Sequence, residues 1–424
     1  MDCLPGEPVS MRSCKWGRTM EIQWIENTGG FDNLREEWDQ LLADSASDCV
    51  FLTWEWLRTW WSHLAGRRQL RIAAVRSGGE LVALAPLAVR PGSVTRLFPF
   101  RVVEFLGSGT VGSDYLDFIV RKGAEAEALD ALSCALDPSA LMLKLGQLRG
   151  SGSVAAHLGG RLGQWGWKSV QTKVNISPFI DLRRHTWTSY LATLGSEHRY
   201  NAQRKMKNLS KHFEVVFERV EDEEQRSPAL QVLIALHNKR WIEHGNSDAF
   251  HTAEQVAFHE EFTARALRRG WLRLYILRLD GKPASALYGL RYGQTFYFYQ
   301  SGFDPQYARH SVGLVTMGLA IKSAMEEGAE EYDLLHGGEA YKFHWAKESR
   351  ELARLELYPP GARGLCVRAL TGGGRLARGW ARRVLRDRAA DILESKTGPP
   401  GVPSSAARPA ENETCIGVAP GEKT

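Results

Sequence analysis

The sequence predicts an α/β chain with mixed sheets, built as two tandem lobes and followed by a C-terminal basic helix and a disordered tail. Three observations lead there. At 424 residues the chain exceeds what one ordinary core organises. Helical and alternating apolar periods follow one another in the same order twice. Beyond Pro359-Pro360 the composition turns first to arginine and then to Gly, Pro, Ser and Ala. The expected division is a disordered segment at 1–20, lobes at 21–180 and 181–358, a basic helical tail at 359–396 and a disordered tail at 397–424.

In the first lobe, a strand at 21–25 precedes Phe31, Leu34, Trp38, Leu41 and Leu42, whose spacing is helical. Thr53 is the expected N-cap of a second helix that carries Trp54, Leu57, Trp61 and Leu64 on one face. Gly78-Gly79 sits between two β-rich runs, 70–76 and 81–89, as a tight hairpin turn requires. Strands at 102–106 and 115–120, a helix at 124–136, a strand at 141–145 and a helix at 154–165 complete the lobe, which ends near Asp181.

The order then restarts with helices at 188–194 and 202–212, a strand at 214–219, and helices at 229–244 and 253–269. Strands at 272–279 and 284–292 flank a turn at 280–283, and a further strand at 295–301 follows Gly293-Gln294. A helix at 312–327 ends at Gly328 as a left-handed cap, ahead of short buried strand 332–335 and closing strand 352–358. The recurring order suggests duplication, with no residue-level repeat behind it.

Composition excludes several functions. The chain is 43% hydrophobic and 24% charged, an ordinary globular balance. Much of its net charge of +5 comes from the arginine series after residue 360, so the body lacks the basic footprint of a nucleic-acid binder. Six scattered cysteines form no C-x-x-C pair, which signals neither a metal site nor a disulfide framework. The first residues hold no apolar core of a secretory signal, no run approaches a membrane span, and Met11 or Met20 is a candidate start. A cytoplasmic protein is expected. The arginine helix, with Leu376, Trp380, Val384 and Leu385 opposite its charges, reads either as a solvated helix packed on the body or as a peripheral contact with the inner face of the membrane.

The most informative stretch is TFYFYQSGFDPQYARHSVGLVTMGLAIKSAMEEGAEEYDLLHGGEAYKFHWAK at 295–347. Its Gly302, Asp304 and Pro305, its Ser311 and Gly313, and its Gly337, Glu339, Tyr341, Lys342 and Trp345 resemble the GNAT acetyltransferase domain of CelD-like and BioF2-like proteins, relatives of the FemAB aminoacyltransferases. FLTWEWLRTWW at 51–61, SDYLD at 113–117, RYNAQRKMKNLSK at 199–211 and HNKRW at 237–241 extend the resemblance over residues 21–358. It implies two GNAT-like lobes and an acyltransferase, most simply an acetyltransferase, with acetyl-CoA or another acyl-CoA as co-substrate. The implied acceptor is a small molecule, saccharide or cell-envelope precursor, in cellulose or exopolysaccharide synthesis.

In that fold the strands at 295–301 and 332–335 splay apart and expose backbone N–H groups to an acyl carbonyl, stabilising its oxyanion under attack by an amine or hydroxyl. The resemblance places the donor against Tyr299 and Gln300 and against Arg309, Ser311, Val312 and Gly313, where a helix start faces a phosphate. An ordinary GNAT donor loop is Arg/Gln-x-x-Gly-x-Gly/Ala, whereas this chain keeps one glycine at shifted spacing, so an aminoacyl donor stays open, as does a fold without catalysis. Tyr341 is the candidate proton donor to a leaving thiolate, and Asp333 and Glu339 are candidate bases; the plain alternatives are a core tyrosine and a strand-end cap. Candidate substrate contacts are Asp114 and Tyr115 in the first lobe, Arg204, His237 and Arg240 on two helices, and Gly338 with Lys342 beyond the last turn. The stripe Arg204, Lys207, Lys211 reads equally as a solvated face. The Trp54, Trp56, Trp60 and Trp61 group reads as core or lobe interface rather than as a sugar platform.

Overall fold

β1 (Met20–Ile25) is followed by three helices, α1 (Thr28–Asn33), α2 (Arg35–Ala43) and α3 (Trp54–Leu64), and by strands β2 (Gln69–Leu70), β3 (Ile72–Ser77), β4 (Glu80–Ala85), β5 (Leu87–Ser93), β6 (Pro99–Phe105) and β7 (Ile119–Val120). α4 (Glu125–Ala135), β8 (Leu141–Leu148), α5 (Leu158–Gly163) and the long β9 (Lys168–Asp181) end the first half. This computed structural model describes residues 20–93, 99–109, 111–136, 141–242, 250–362 and 364–372. The second half runs α6 (Trp187–Thr193), α7 (Ser196–His212), β10 (Val215–Arg219), α8 (Glu223–Ile242), α9 (Ala253–Arg268), β11 (Leu272–Leu279), β12 (Lys282–Tyr292), β13 (Thr295–Phe303), α10 (Val312–Glu326), β14 (Glu331–Asp333) and β15 (Glu348–Tyr358).

Local chemistry sets these bounds. Thr53 caps α3 by accepting from the Trp56 amide, and Thr252 and Gln255 form a reciprocal capping box at α9. Gly78 and Gly79 turn the β3–β4 hairpin at φ 59° and 88°. Gly328 ends α10 at φ 72°, while the Ala329 amide reaches back to the Ala324 carbonyl.

Among the described residues the strands form two sheets. One is four-stranded, in the order β1-β3-β4-β7; the other has eleven strands, ordered β10-β11-β12-β13-β14-β9-β15-β8-β6-β5-β2. The larger sheet draws on both sequence halves. β9 leaves the first half to lie between β14 and β15, and β15 crosses back to pair with β8. The described residues up to Arg368 accordingly form one compact unit. α3 also packs on α9: buried Trp56 lies 5.0 Å from the Phe258 ring and 4.6 Å from that of Phe262. The tryptophan cluster is therefore core and lobe interface.

Two expectations need correction. The strand expected from Tyr115 begins only at Ile119, because Tyr115 stands at φ 58°, outside the extended region. β9 passes unannounced in sequence because its first half, KSVQTKV, is mostly polar and exposed and carries no clean alternation. The chain is helical at 364–372. The remainder of the expected basic helix, the tail at 397–424 and residues 1–19 lie outside the described residues. Among those described, no helix is long and apolar enough to cross a membrane.

Candidate active site

β13 and β14 run parallel for three residue pairs, Thr295 to Glu331, Phe296 to Tyr332 and Tyr297 to Asp333, and then part. Past Asp333 the chain turns away from β13: the Leu334 amide donates to the Pro178 carbonyl and the Gly337 amide to that of Ile176, both on β9. β13 continues alone on that side to Phe303. Its pairing with β12 shifts register at Tyr288/Gly289, so that Gln300 faces Tyr288, Phe298 faces Gly289 and Tyr299 is the extra residue of a bulge. A notch in the sheet thus opens beside 298–303, where β13 has no strand partner on that side and the chain after β14 bonds to β9 instead.

At one end of this notch the chain enters α10. Asp304 accepts from the Gln306 amide to start a short 3₁₀ turn at Pro305–His310, and Ser311 then adopts φ 55°, ψ 42°. The Val315 amide is the one that returns to the Ser311 carbonyl, which leaves the amides of Val312, Gly313 and Leu314 as the helix start. Such a 3₁₀-to-left-handed turn followed by a helix start concentrates N–H groups and positive potential suited to an anion. Gly313 lies close under Phe303, where an added Cβ would meet the ring at 3.3 Å. The Lys205 ammonium donates to the Arg309 carbonyl at 3.4 Å, so this lysine of α7 comes to the turn while Arg204, Lys207 and Lys211 are exposed. Burial, Arg309, His212 and Lys205 together hold the His310 pKa below the usual imidazole value, a sign of positive potential there.

At the other side of the notch the first half of the chain contributes. Asp114, fully buried, accepts from the His336 amide at 2.7 Å on one oxygen; the other oxygen contacts His336 Nδ1 at 2.9 Å and accepts from Gln147 Nε2 at 2.8 Å. Tyr115 donates its hydroxyl to Asp333 at 2.7 Å. Asp333 also receives the Leu335 amide and Arg350, whose guanidinium additionally pairs with Glu331. Burial pushes the Asp333 carboxyl up to about 6 against the lowering influence of Tyr115 and Arg350. Lys342, also buried, places its ammonium on the carbonyl oxygens of His336 at 2.6 Å and Leu335 at 3.2 Å and on Glu339 at 3.1 Å. Burial lowers its pKa while Glu339, Asp114 and Asp333 oppose the shift. Tyr115, Gln147 and Leu335 all hold positive φ, at 58°, 58° and 55°. Left-handed backbone at three non-glycine residues around one contact is strain that the surrounding hydrogen bonds hold in place.

The structure therefore brings Asp114, Tyr115, Asp333, Glu339 and Lys342 into one neighbourhood, with Gly337 at φ 124° and Gly338 in the same loop. The ammonium of Lys342 is occupied by its own loop, through the Leu335 and His336 carbonyls and the Glu339 carboxylate, and so positions that loop. Asp333 is held at the end of β14 by Tyr115, Arg350 and the Leu335 amide, as a strand-end cap would be. Glu339 is largely exposed and tied to Lys342. Tyr341 is half-buried against the apolar cluster beneath α10. His237 is buried beneath β13, its Nδ1 3.1 Å from the Ser301 carbonyl oxygen and its backbone against Gly302, and so supports the strand. Arg240 lies on α8, and its side chain is outside the described residues. Arg204 stacks over Tyr200 and bonds Asn201 on its own helix. On the expected donor strand, the Tyr299 hydroxyl donates to the Val111 carbonyl across to the first half, and Gln300 accepts from the Ser301 amide. Sequence reasoning missed His336. The available signal was a histidine lodged between a buried strand end and a glycine pair, LLHGG. A cavity of about 170 Å³, lined by residues including Tyr115, Arg149, Tyr297, Glu331, Asp333 and Arg350, reaches the contact between Tyr115 and Asp333.

No curated protein matches the chain in sequence. Among solved structures the chain is similar to FemX, at 12% identity and a TM-score of 0.54 over 79% of this chain and 96% of that one. It is also similar to the C-terminal domain of a putative lysylphosphatidylglycerol synthetase from Agrobacterium fabrum, at 13% identity and 0.48 over 76% and 92%. A tandem GNAT protein from the clavulanic acid biosynthesis pathway gives 13% and 0.43 over 81% and 100%. At such identities the likeness speaks of fold alone. Residues 196–343 match the family model described as an acetyltransferase (GNAT) domain, and the chain has a mixed α/β fold similar to that of FemX.

Proposed function

We propose that this protein transfers an acyl group from an acyl-CoA, most simply acetyl-CoA, to an amine or hydroxyl of a polar acceptor. The observation that carries the reading is the parting of β13 and β14 after Tyr297 and Asp333, beside the start of α10. A thioester lying along the open side of β13 meets the strand edge at its carbonyl, where the Gln300 side chain holds the Ser301 amide, and the Val312 to Leu314 amides with Lys205 and Arg309 meet its phosphates. Oriented amides in a groove shielded from water stabilise a developing oxyanion far more than bulk solvent does. The resemblance to CelD-like proteins supports a saccharide or cell-envelope precursor as acceptor and a site of action in the cytoplasm.

A second reading is favoured by one feature: the turn into α10 has a single glycine and a 3₁₀ segment where an ordinary GNAT donor loop has two small residues. It takes an aminoacyl donor in place of acyl-CoA, as in FemAB-type transfer. Calorimetry with acetyl-CoA, joined to a thiol-release assay over a panel of amines and amino sugars, decides. Saturable binding with acceptor-dependent release of CoA supports the first reading. No binding of acetyl-CoA, with retention of an aminoacyl-tRNA, supports the second.

A further inference from the structure

His336 lies three residues past Asp333, the last residue of β14 paired with β13, and against Gly112, whose neighbour Val111 accepts from Tyr299 of β13. Its side chain is 37% exposed, whereas that of Asp114 behind it is 0% exposed. Asp114 grips His336 twice, through the ring and through the backbone amide, so that the imidazole and its main chain are fixed together. On the far side the Lys342 ammonium holds the Leu335 and His336 carbonyls, and Gly112 brings first-half backbone so near that an added Cβ would lie 3.2 Å from His336 Cε1. Gln147 supplies Asp114 with a further donor. The three strained residues Tyr115, Gln147 and Leu335 are neighbours of this contact in the chain or by hydrogen bond. A carboxylate oxygen only accepts, so the hydrogen of this contact sits on Nδ1 and the lone pair on Nε2, the ring nitrogen away from Asp114.

From this geometry we propose that His336, oriented by Asp114, is the general base that removes the proton from the acceptor nucleophile. The proposal rests on the acyl-transfer reading above and deepens it. The other carboxylates here are held by neighbouring side chains, Asp333 by Tyr115 and Arg350 and Glu339 by Lys342. In the step, the acceptor amine or hydroxyl forms its bond to the thioester carbonyl carbon and its proton passes to Nε2. The carbon–sulfur bond breaks with its electron pair on sulfur, and the imidazolium returns the proton to the thiolate, directly or through water, giving free thiol. Asp114 stabilises the imidazolium formed on the way, the role a buried carboxylate plays behind a catalytic histidine. Because Asp114 comes from the first half of the chain and His336 from the second, the base is complete only when the two halves share their sheet.

Thiol release from acetyl-CoA tests this in the full chain, with whichever amine of the panel the wild type takes up fastest, or with water as the nucleophile. His336→Gln is expected to bind acetyl-CoA within twofold of wild type by calorimetry and to lose kcat by about 10²–10³-fold. Asp114, Lys342 and Glu339 are the charged groups that face the ring, and burial opposes protonation while Asp114 favours it. Asp114→Asn should therefore move the acid limb of the pH–rate profile to lower pH, a shift that loss of a merely structural contact does not cause. Nitrogen-15 NMR of the wild type should show the hydrogen on Nδ1 of His336, a readout that stands even if a variant fails to fold. Retention of kcat within threefold by His336→Gln with an unmoved acid limb, or a neutral ring whose hydrogen is on Nε2 instead of Nδ1, overturns the proposal and leaves the acyl-transfer reading standing. A wild type that neither binds acetyl-CoA nor releases CoA removes both.

Discussion

The ammonium of Lys342 lies 2.6 Å from the carbonyl oxygen of His336, and this contact between residues six apart fixes the loop that faces the notch. The charge is almost wholly buried, 4% exposed, which a lysine tolerates only when its donors are satisfied. Lys342→Met keeps the length of the side chain and strands two buried carbonyls. Urea unfolding should show a loss of about 1.5–3 kcal/mol, the usual penalty for removing a charged hydrogen-bond partner. Acetyl-CoA turnover should fall with acetyl-CoA binding largely kept, because the loop and not the donor turn is loosened.

Asp333 gives stability a dependence on pH of a defined sign. Its carboxyl is raised to about 6 from an ordinary 3.8, chiefly by burial, so the folded protein holds this proton more tightly than the unfolded chain does. The stabilisation is fully present below about pH 4 and is lost as pH rises through about 6, on the order of 3 kcal/mol in all. Asp333→Asn removes the titration. Denaturant unfolding from pH 4 to 7 should find the variant gaining on wild type as pH rises; a difference that stays flat contradicts the assignment.

Trp56 joins the two halves. It is fully buried between Phe258, Phe262 and Tyr299, and its indole N–H donates to Ser113 at 2.9 Å. Trp56→Ala should cost about 3–5 kcal/mol. Since Ser113 directly precedes Asp114, the same variant should broaden or shift the His336 ring resonances at temperatures where the protein stays folded.

Gly302 is where α8 presses on β13. A Cβ there would stand 2.3 Å from the His237 backbone nitrogen, with no flexible side chain to give way. Gly302→Ala should destabilise by about 3 kcal/mol or more and widen the notch as the strand is pushed from the helix. Thermal unfolding reads the first effect, and acetyl-CoA affinity the second.

Much of the framework was legible because it is local. Glycine pairs, a threonine cap and a left-handed helix end each act within a few residues, so Gly78-Gly79, Thr53 and Gly328 announce their turns in the sequence alone. The site was legible in part. Asp114, Tyr115, Asp333 and Lys342 were singled out, yet their roles depend on contacts between distant segments: Tyr115 meets Asp333 218 residues away, and Asp114 meets His336 222 residues away. No periodicity encodes such a meeting. It is produced by β9 and β15 exchanging sides within one sheet, and β9 itself is hidden by a polar first half. The approach of Lys205 to the turn before α10 was hidden for a similar reason, since helical spacing groups Arg204 with Lys207 and Lys211 whereas packing of α7 turns Lys205 to the Arg309 carbonyl.

On the function proposed above, an acyl thioester lies between the open side of β13 and the start of α10. Amide hydrogen exchange with and without saturating acetyl-CoA tests it most directly. The account predicts slowed exchange at 298–301 and at 312–314, with the second region losing its protection in Lys205→Ala together with Arg309→Ala. Protection confined to other segments, or none at any concentration of acetyl-CoA, would contradict it.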